Sequence, residues 1–536
     1  MRATRLHTVI TAVVILGIVL AGCGPAPMPT PTSPPAVAPT KAPPAAPTAT
    51  PPPTAVPTKA PVVNTFGVKL PDDAAPPDKQ VLYIMGDERT YLDLTKSVYK
   101  YQWGGALMTE PLVRVNNDYE ILPNSGAAES WEAAADGLTW VFRIRKGMQW
   151  SDGAPFTARD FEFSFKRMAD PATGYDVAFN LYAVKNFEAA NKGKVPVDQI
   201  GAKALDDYTF QVITENPTPF LPMLMNESWV APKHIVEKYG DTWSLDPKTA
   251  VSGGPYKLEK WEKGKEVVFV ANPMYRGPWK PYLEKIVYKI GGPEALLSAY
   301  LAGENDAIYE DYEGTLSPAD QKKIDSDPVL KQQLHRYLKM QSWYITFGGG
   351  KYAFKDPKVR QAFAHAIDRD ALIKSALGGQ AVPLYGMLPV GFHCSNTERL
   401  KGYQNYDVAA AKKLLADAGF PNGQGFPKYT LSLRAAPPNI VSVAEGIQAM
   451  LKQNLGVEIT VENLERKTFT DRMAADDLPL YLIPWGMDYY DAYNFLGVFY
   501  TGFRHPWSNS QYDSLMKQAN SLVGDPKKRC DLYQQA

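Results

Sequence analysis

The chain has 536 residues, and its 57 lysines and arginines balance its 57 aspartates and glutamates. This balance excludes both the basic surplus of a nucleic-acid-binding protein and the acidic excess of a disordered chain. The length beyond about residue 62 is too great for one hydrophobic core and predicts two or three domains. Aromatic residues make up 12% of the sequence. This fraction is consistent with a large hydrophobic core and also with a cleft whose aromatic side chains stack on the flat faces of a ligand.

The amino-terminal residues have the pattern of an export signal. Arg2 and Arg5 form a positive segment, residues 9–20 form an uncharged apolar run, and the sequence LAGC ends at Cys23. The run is too short to span a bilayer as an ordinary helix. LAGC resembles the bacterial lipobox, which implies a signal peptide over residues 1–22 and a lipid on the thiol of Cys23. The alternative is an ordinary signal peptide that happens to contain a cysteine.

Residues 23–65 have a strongly biased composition. Between residues 24 and 61 the sequence holds fifteen prolines and almost no large apolar side chains. Such a segment cannot bury enough surface to offset its ordering entropy. We therefore expect a disordered tether between the lipid-carrying cysteine and the folded domains.

Beyond the tether, the spacing of apolar residues predicts alternating strands and helices. Residues 81–85 predict a buried strand, and residues 140–144 alternate as a half-buried strand does. Thr157, followed by an acidic residue three positions later, is typical of a helix amino-terminal cap. Residues 408–418 carry an apolar stripe that predicts a helix ended by Gly419. Strands and helices in alternation indicate an α/β protein.

Several stretches of the chain together carry the pattern of a known family. They are SWE at 130–132, DGLTWVFRIRKGM at 136–148, SDGAPFTARDF at 151–161, KALDDYTF at 203–210, GGPY at 253–256, NPMYRG at 272–277, KVRQAFAHAIDR at 358–369 and YDVAAAKKLLADAGF at 406–420. In order and spacing these stretches resemble the family 5 extracellular solute-binding proteins. Those proteins are the oligopeptide- and dipeptide-binding components of ABC importers.

The resemblance implies a two-lobed α/β fold of the periplasmic-binding-protein type, class II, with a small domain inserted in the first lobe. Residues 66–105 and 200–288 are expected to form the first lobe, residues 106–199 the inserted domain and residues 289–536 the second lobe. Family members end by crossing back into the first lobe. We expect that return to be missing after Ala536, which would weaken the first lobe.

The sequence carries no motif for catalysis or phosphate binding. It lacks GxSxG, HExxH, CxxC, GxGxxG and GxxxxGK[ST], and the glycines before Lys351 lack the serine or threonine of a phosphate loop. His393 with Cys394 lacks a second pair of metal ligands. We therefore predict no cofactor, no metal site and no ATPase activity. Cys394 and Cys530 are too few for a disulfide framework, and we expect two free thiols; the alternative is one bridge between them, as an exported protein allows.

The candidate ligand site lies in residues 483–496, where an indole, a glycine and two carboxylates stand within an aromatic run. The sequence WGMDY resembles a family segment whose aspartate, in peptide-binding members, pairs with the α-ammonium of the ligand. The resemblance assigns ligand binding to four residues: Trp485, Gly486, Asp488 and Tyr489. We interpret Asp491 as a helix cap. The alternative for Asp488 is a turn or cap role only, since non-peptide members share much of this segment.

The predicted function is capture of peptides outside the cytoplasm for an ABC importer. The expected partners are a peptide or other small solute, the permease and ATPase subunits, and the membrane through the Cys23 lipid; we expect a monomer that binds no nucleic acid. One alternative is a binder of oligosaccharides or another solute within the same family. A rival from another class is an extracellular glycoside hydrolase that uses Asp488 with a second carboxylate about 5–9 Å away. We predict a binding protein and not an enzyme.

Overall fold

The computed structural model describes residues 62–308 and 316–536, which contain both strands and helices. The strands are β1 (Val81–Gly86), β2 (Ala128–Ala133), β3 (Thr139–Ile144), β4 (Ala202–Asp206), β5 (Thr209–Ile213), β6 (Tyr256–Glu262), β7 (Glu266–Ala271), β8 (Lys285–Ile290), β9 (Gln341–Phe347), β10 (Tyr429–Arg434), β11 (Ile459–Leu464) and β12 (Leu480–Gly486). They form three four-stranded sheets. The predicted signal peptide, Cys23 and nearly all of the tether lie outside the described residues.

The helices are concentrated in the second half of the chain. They are α1 (Ala158–Ala169), α2 (Phe187–Asn191), α3 (Leu221–Leu224), α4 (Lys233–Tyr239), α5 (Leu296–Leu301), α6 (Pro318–Ser326), α7 (Pro328–Gln333), α8 (Pro357–Ala366), α9 (Arg369–Ala376), α10 (Thr397–Leu400), α11 (Val408–Asp417), α12 (Pro438–Leu455), α13 (Arg466–Ala474), α14 (Ala492–Leu496), α15 (Ser510–Asn520) and α16 (Pro526–Gln535). In the part of the chain that the structure describes, no helix combines the length and apolarity needed to cross a bilayer.

The first sheet has the strand order β1-β8-β7-β6. β1 runs parallel to β8, and the other pairs are antiparallel. Val267 and Phe269 of β7 are fully buried beside Ile84 of β1 and Ile286 of β8. The strand predicted over residues 81–85 is therefore confirmed as β1.

The second sheet has the order β2-β3-β5-β4 and is antiparallel throughout. Trp140, Phe142 and Ile144 of β3 belong to a buried core that also includes side chains of α1. α1 begins with a capping box. The Thr157 side chain accepts a hydrogen bond from the backbone of the first turn, and the Asp160 side chain accepts one from the backbone N–H of Thr157. Both the strand and the cap agree with the sequence prediction.

The second sheet joins strands that are far apart in sequence. β4 and β5, from the stretch 200–288, complete the sheet of β2 and β3. Phe142 of β3 stands opposite Phe210 of β5, and both side chains are fully buried in one core. β3 and β5 therefore share one core. Antiparallel partners so distant in sequence leave no local signal of their pairing.

The third sheet has the order β11-β10-β12-β9. β10 runs parallel to both β11 and β12, whereas β9 is antiparallel to β12. Parallel strands need helices against their faces, and side chains of α8, α11 and α12 supply this cover through Phe363, Leu415 and Leu451, all buried beside Leu431 of β10. The helix predicted over residues 408–418 is confirmed as α11.

A disulfide joins Cys394 to Cys530, so the expectation of two free thiols is wrong. The Cα atoms lie 4.9 Å apart, although the residues are separated by 136 positions in sequence. α16 brings Cys530 against the loop before α10, where the Gln534 amide donates to the Cys394 carbonyl at 3.5 Å and the Asn396 amide donates to the Gln534 carbonyl at 3.3 Å. This pairing depends on a tertiary contact that cysteine spacing does not reveal.

Candidate ligand-binding site

The candidate site lies at one edge of the third sheet. β10 and β12 run parallel and end near each other, at Arg434 and Gly486. Ligand sites of α/β sheets commonly lie beyond the carboxyl ends of parallel strands. Trp485 and Gly486 are the last two residues of β12, and the segment 487–491 with Asp488 follows directly, before α14. The predicted site residues therefore lie at or just beyond this edge.

Asp488 is half-buried beside a neutral partner. Its Oδ2 accepts a hydrogen bond from the Asn494 amide at 3.0 Å, and the Asn494 side-chain oxygen accepts from the Asp488 backbone N–H at 3.1 Å. Burial raises the pKa of the Asp488 carboxyl group to about 6, while the Asn494 hydrogen bond and the positive charge of Arg504 act in the opposite direction. A neutral amide leaves the ionised carboxylate without a compensating cation in direct contact.

Asp491, in the same segment, is neutralised within the protein. Its side chain caps α14 by accepting from the Tyr493 N–H at 2.9 Å, which confirms the predicted cap. The Nη2 of Arg529, on α16, lies 3.0 and 2.9 Å from the two carboxylate oxygens. Both side chains of this ion pair are buried, at 8% and 6% exposure. Asp491 is therefore a structural residue.

Tyr489 lies in an aromatic stack that joins distant parts of the chain. Its ring is nearly parallel to that of Phe220, with the centroids 5.2 Å apart, and Phe220 also stacks on Tyr493 at 5.3 Å. Nearby, Tyr490 stacks on Tyr119 at 5.0 Å. Phe220 and Tyr119 come from the half of the chain that carries the first two sheets. The segment after β12 is thus held between the two halves.

A second carboxylate, absent from the sequence prediction, lies close to Asp488. Glu227 follows α3 within the same stretch as Phe220, and its Oε2 accepts a hydrogen bond from the Asn180 amide at 3.0 Å. Burial, and to a smaller extent the negative charge of Asp488, raises the pKa of Glu227 to about 8. Two acidic groups in one sheltered space favour a bound positive charge. Glu227 lies in none of the stretches that resemble the family, so the sequence carried no signal for it.

Trp485 already has a cation on its ring. The Arg504 guanidinium lies 4.8 Å from the ring centroid of the indole, so this face is occupied by the protein itself. The indole Nε1 is buried and, within residues 62–308 and 316–536, has no hydrogen-bond acceptor. Buried N–H groups are normally paired, and this one is available to donate to a ligand oxygen.

Three potential metal ligands meet at the disulfide. Ligand atoms of His393, Cys394 and Cys530 all lie within 4.8 Å of one another, and the His393 Nε2 is 3.3 Å from the Cys530 sulfur. Metal binding by cysteine needs thiolates. Because the two sulfurs are joined in a disulfide, this cluster lacks the thiolates that would bind a metal.

The chain resembles proteins of one family in both sequence and structure. A family model described as bacterial extracellular solute-binding proteins, family 5, matches residues 123–506. The chain belongs to this family. It is 31% identical over 433 residues to the periplasmic oligopeptide-binding protein OppA of Salmonella typhimurium, covering 78% of this chain and 77% of that protein. It is 30% identical over 445 residues to the oligopeptide-binding protein OppA of Bacillus subtilis, covering 80% and 79%.

A solved structure extends the likeness to the fold. The unliganded open form of the periplasmic murein tripeptide-binding protein MppA has a TM-score of 0.70 and 27% identity, and the match covers 86% of this chain and 89% of that one. The predicted two-lobed α/β fold of the family 5 solute-binding proteins is therefore confirmed. These family 5 relatives are named as binding proteins, and none of the three carries the name of an enzyme.

Proposed function

We propose that this chain is the extracytoplasmic binding protein of an ABC importer and that it captures peptides. The observation that carries the proposal is Asp488, a half-buried carboxylate with a neutral partner and a pKa raised to about 6 by burial. The α-ammonium of a peptide supplies the positive charge that such a group lacks. Both OppA relatives are named as oligopeptide-binding proteins, which supports this choice of ligand.

In this proposal the peptide lies along the open edge beyond β10 and β12. Its ammonium enters the space between Asp488 and Glu227, and the buried N–H of Trp485 donates to a peptide oxygen. The aromatic stack of Tyr489 on Phe220 shields the ion pair from water, which strengthens it. Main-chain hydrogen bonds to the peptide are independent of its side chains, so one site accepts many sequences.

Export and anchoring complete the proposal. The LAGC sequence and the proline-rich tether of residues 23–65 hold the folded part at the membrane through a lipid on Cys23. The family is extracellular by description, and the permease and ATPase belong to other subunits, to which this chain delivers its ligand as a monomer. Mass spectrometry of the membrane-fraction protein checks this part: a lipid on Cys23 is expected, and an unmodified amino terminus contradicts it.

The two alternatives remain distinguishable from peptide binding. An oligosaccharide or another solute would use the aromatic side chains of the cleft and would not require a carboxylate. A glycoside hydrolase needs two carboxyl groups across an open cleft, and Asp488 with Glu227 is the pair available for that chemistry. The binding-protein relatives favour capture over catalysis.

Calorimetry of the full chain with trialanine and with N-acetyl-trialanine tests the proposal. We expect Asp488→Asn to weaken trialanine binding by about 10–100-fold, the effect of losing a hydrogen bond to a charged group. The acetylated peptide should bind weakly to both proteins. Asp370→Asn, an exposed aspartate in the first turn of α9, is the matched control and should bind like the parent.

Three results would contradict the proposal. An unchanged trialanine affinity in Asp488→Asn would show that Asp488 does not pair with the α-ammonium. Binding of cello- or xylo-oligosaccharides, with none of any free-amine peptide, assigns the site to sugars. Turnover of those sugars makes the chain an enzyme.

A further inference from the structure

A histidine lies against the disulfide between Cys394 and Cys530. The His393 Nε2 is 3.3 Å from the Cys530 sulfur, and the ligand atoms of the three side chains lie within 4.8 Å of one another. Among the described residues, this sulfur is the imidazole's one partner at hydrogen-bonding distance. A sulfur accepts hydrogen bonds only weakly, whereas imidazole is the side chain that most commonly binds metals. The cluster thus holds the donor atoms of a metal site, and the S–S bond blocks their use.

Contacts other than the S–S bond hold the two sides of this cluster together. Cys530 lies on α16, and Arg529 of the same helix forms the buried ion pair with Asp491. The Gln534 amide, one turn further along α16, donates to the Cys394 carbonyl at 3.5 Å. None of these contacts involves the sulfur atoms, so none is removed when the S–S bond is reduced. We therefore expect the two thiols to remain neighbours in the reduced protein.

The loop on the other side of the cluster has an unusual backbone conformation. Cys394 has φ +64°, in the left-handed region that residues with a Cβ rarely adopt. A hydrogen bond from the Ser395 N–H to the Phe392 carbonyl at 2.9 Å closes the turn around it. Residues held in such conformations are concentrated at functional sites. This turn presents two of the three donor side chains, His393 and Cys394, from one short segment.

The distances within the cluster suit a tetrahedral ion. Zn²⁺ binds thiolate sulfur at about 2.3 Å and imidazole nitrogen at about 2.0–2.1 Å, which places neighbouring ligand atoms about 3.5–3.8 Å apart. The His393 Nε2 and the Cys530 sulfur are already 3.3 Å apart. Once the S–S bond is broken, van der Waals repulsion moves the two sulfurs apart toward the same separation. Two thiolates also cancel the charge of one divalent cation, so the half-buried site would carry no net charge.

We propose that reduction of the Cys394–Cys530 disulfide turns this cluster into a Zn²⁺ site whose ligands are the two sulfurs and the His393 Nε2. A dithiol reductant supplies two electrons and two protons: the S–S bond breaks, each sulfur becomes a thiol, and the reductant becomes a disulfide. Zinc binding then releases the two thiol protons, and water fills the fourth position. None of the three ligands belongs to the proposed peptide site, so zinc binding here is an additional function under redox control.

Anaerobic zinc titration of the full chain tests the proposal. One sample is reduced with a phosphine, which is oxidised to its phosphine oxide, and is then desalted; the other keeps the disulfide. Both compete with a coloured zinc chelator at about pH 7, where imidazole is mostly neutral. We expect the reduced chain to bind one Zn²⁺ at least about 100-fold more tightly than the disulfide form, since two thiolate ligands are added. Co²⁺ in place of Zn²⁺ should give the charge-transfer absorption of bound thiolate.

A histidine variant assigns the site to the three-ligand cluster. His393→Ala keeps both cysteines and should lower the zinc affinity of the reduced chain by about 100-fold, because even the partners of metal ligands contribute about 10–100-fold. His335→Ala, which changes an exposed histidine in the loop after α7, is the matched control and should bind like the parent. Cys23 is the same in all samples. Circular dichroism of each reduced sample checks that the fold is retained before zinc is added.

Three results would overturn the proposal. Equal zinc affinity of the reduced and disulfide forms would show that the two sulfurs are not ligands. Zinc affinity that is as high in reduced His393→Ala as in the reduced parent would show that the imidazole is not a ligand. A reduced chain that unfolds, and that zinc does not refold, would show that the contacts of α16 do not keep the ligands together.

Discussion

Asp488 and Asp491 lie in one short segment, yet the protein surrounds them in opposite ways. Asp491 faces the guanidinium of Arg529 inside a buried pair and caps α14. Asp488 faces the neutral amide of Asn494, and burial raises its pKa to about 6. The chain thus provides an internal cation for one aspartate and leaves the other with a positive charge still to be supplied.

This difference separates a residue that stabilises the fold from a residue that we propose binds the ligand. Removing a charge from water costs free energy, and only a close opposite charge with good hydrogen bonds offsets that cost. At Asp491 the guanidinium of Arg529 supplies that opposite charge. At Asp488 the cost persists in the ligand-free protein, and a peptide ammonium would relieve it on binding. The same physical quantity, uncompensated charge, therefore predicts opposite outcomes when each aspartate is changed to asparagine.

Asp491→Asn should have the largest effect on stability. It leaves Arg529 buried without a counter-charge, and breaking such a pair costs about 3–5 kcal/mol of the free energy of unfolding. Asp488→Asn removes an uncompensated charge and should leave stability unchanged or slightly higher. Denaturant unfolding of both full-length variants measures the two values. Equal losses in both would mean that the two aspartates do not differ as the structure shows.

Loss of the disulfide should have the next largest effect. Replacing Cys394 and Cys530 by serine should lower the free energy of unfolding by about 2–4 kcal/mol. α16 carries both Cys530 and Arg529, so the disulfide also keeps Arg529 against Asp491. We therefore expect the double cysteine variant combined with Asp491→Asn to lose less than the sum of the separate losses. Losses that add fully would show that the disulfide and the ion pair act independently.

Local features of the chain were predictable, because their signals lie within a few residues. The capping box of Thr157 and Asp160 and the cap at Asp491 each depend on a side chain and a backbone N–H of the same turn. The family resemblance added the two-lobed fold and the position of WGMDY. The resemblance predicts the fold because proteins with these motifs share it; the motifs taken singly would not predict it.

The features that were missed all depend on contacts between distant residues. The disulfide crosses 136 positions, and Phe142 of β3 pairs with Phe210 of β5. Glu227 ends a short 3-10 helix and Arg504 lies in a loop, both without a motif, and only the folded chain brings them to Asp488. A loop glutamate or arginine in sequence has the pattern of an ordinary exposed residue. The charges of Glu227 and Arg504 near Asp488 could therefore be assigned to the candidate site only from the fold.

The smallest expected effect, and the one that refines the comparison most, is the dependence of peptide affinity on pH. In the ligand-free protein Asp488 has a pKa of about 6 and Glu227 a pKa of about 8, both raised by burial. An ammonium favours the ionised carboxylate, so binding must displace protons. Trialanine affinity should therefore fall as the pH drops from about 7 to about 5, by about 10-fold for one proton.

Two variants identify the group whose protonation weakens peptide binding as the pH falls. Asp488→Asn should make the residual affinity independent of pH in this window, which lies below the pKa of a peptide α-amino group, about 8. Glu227 has a pKa of about 8 and is mostly protonated in this window, so Glu227→Gln should leave the fall in affinity almost unchanged. Calorimetry in buffers of different ionisation enthalpy counts the protons directly. A pH dependence as steep in Asp488→Asn as in the parent would place the proton on another group, and Asp488 would then resemble Asp491 after all.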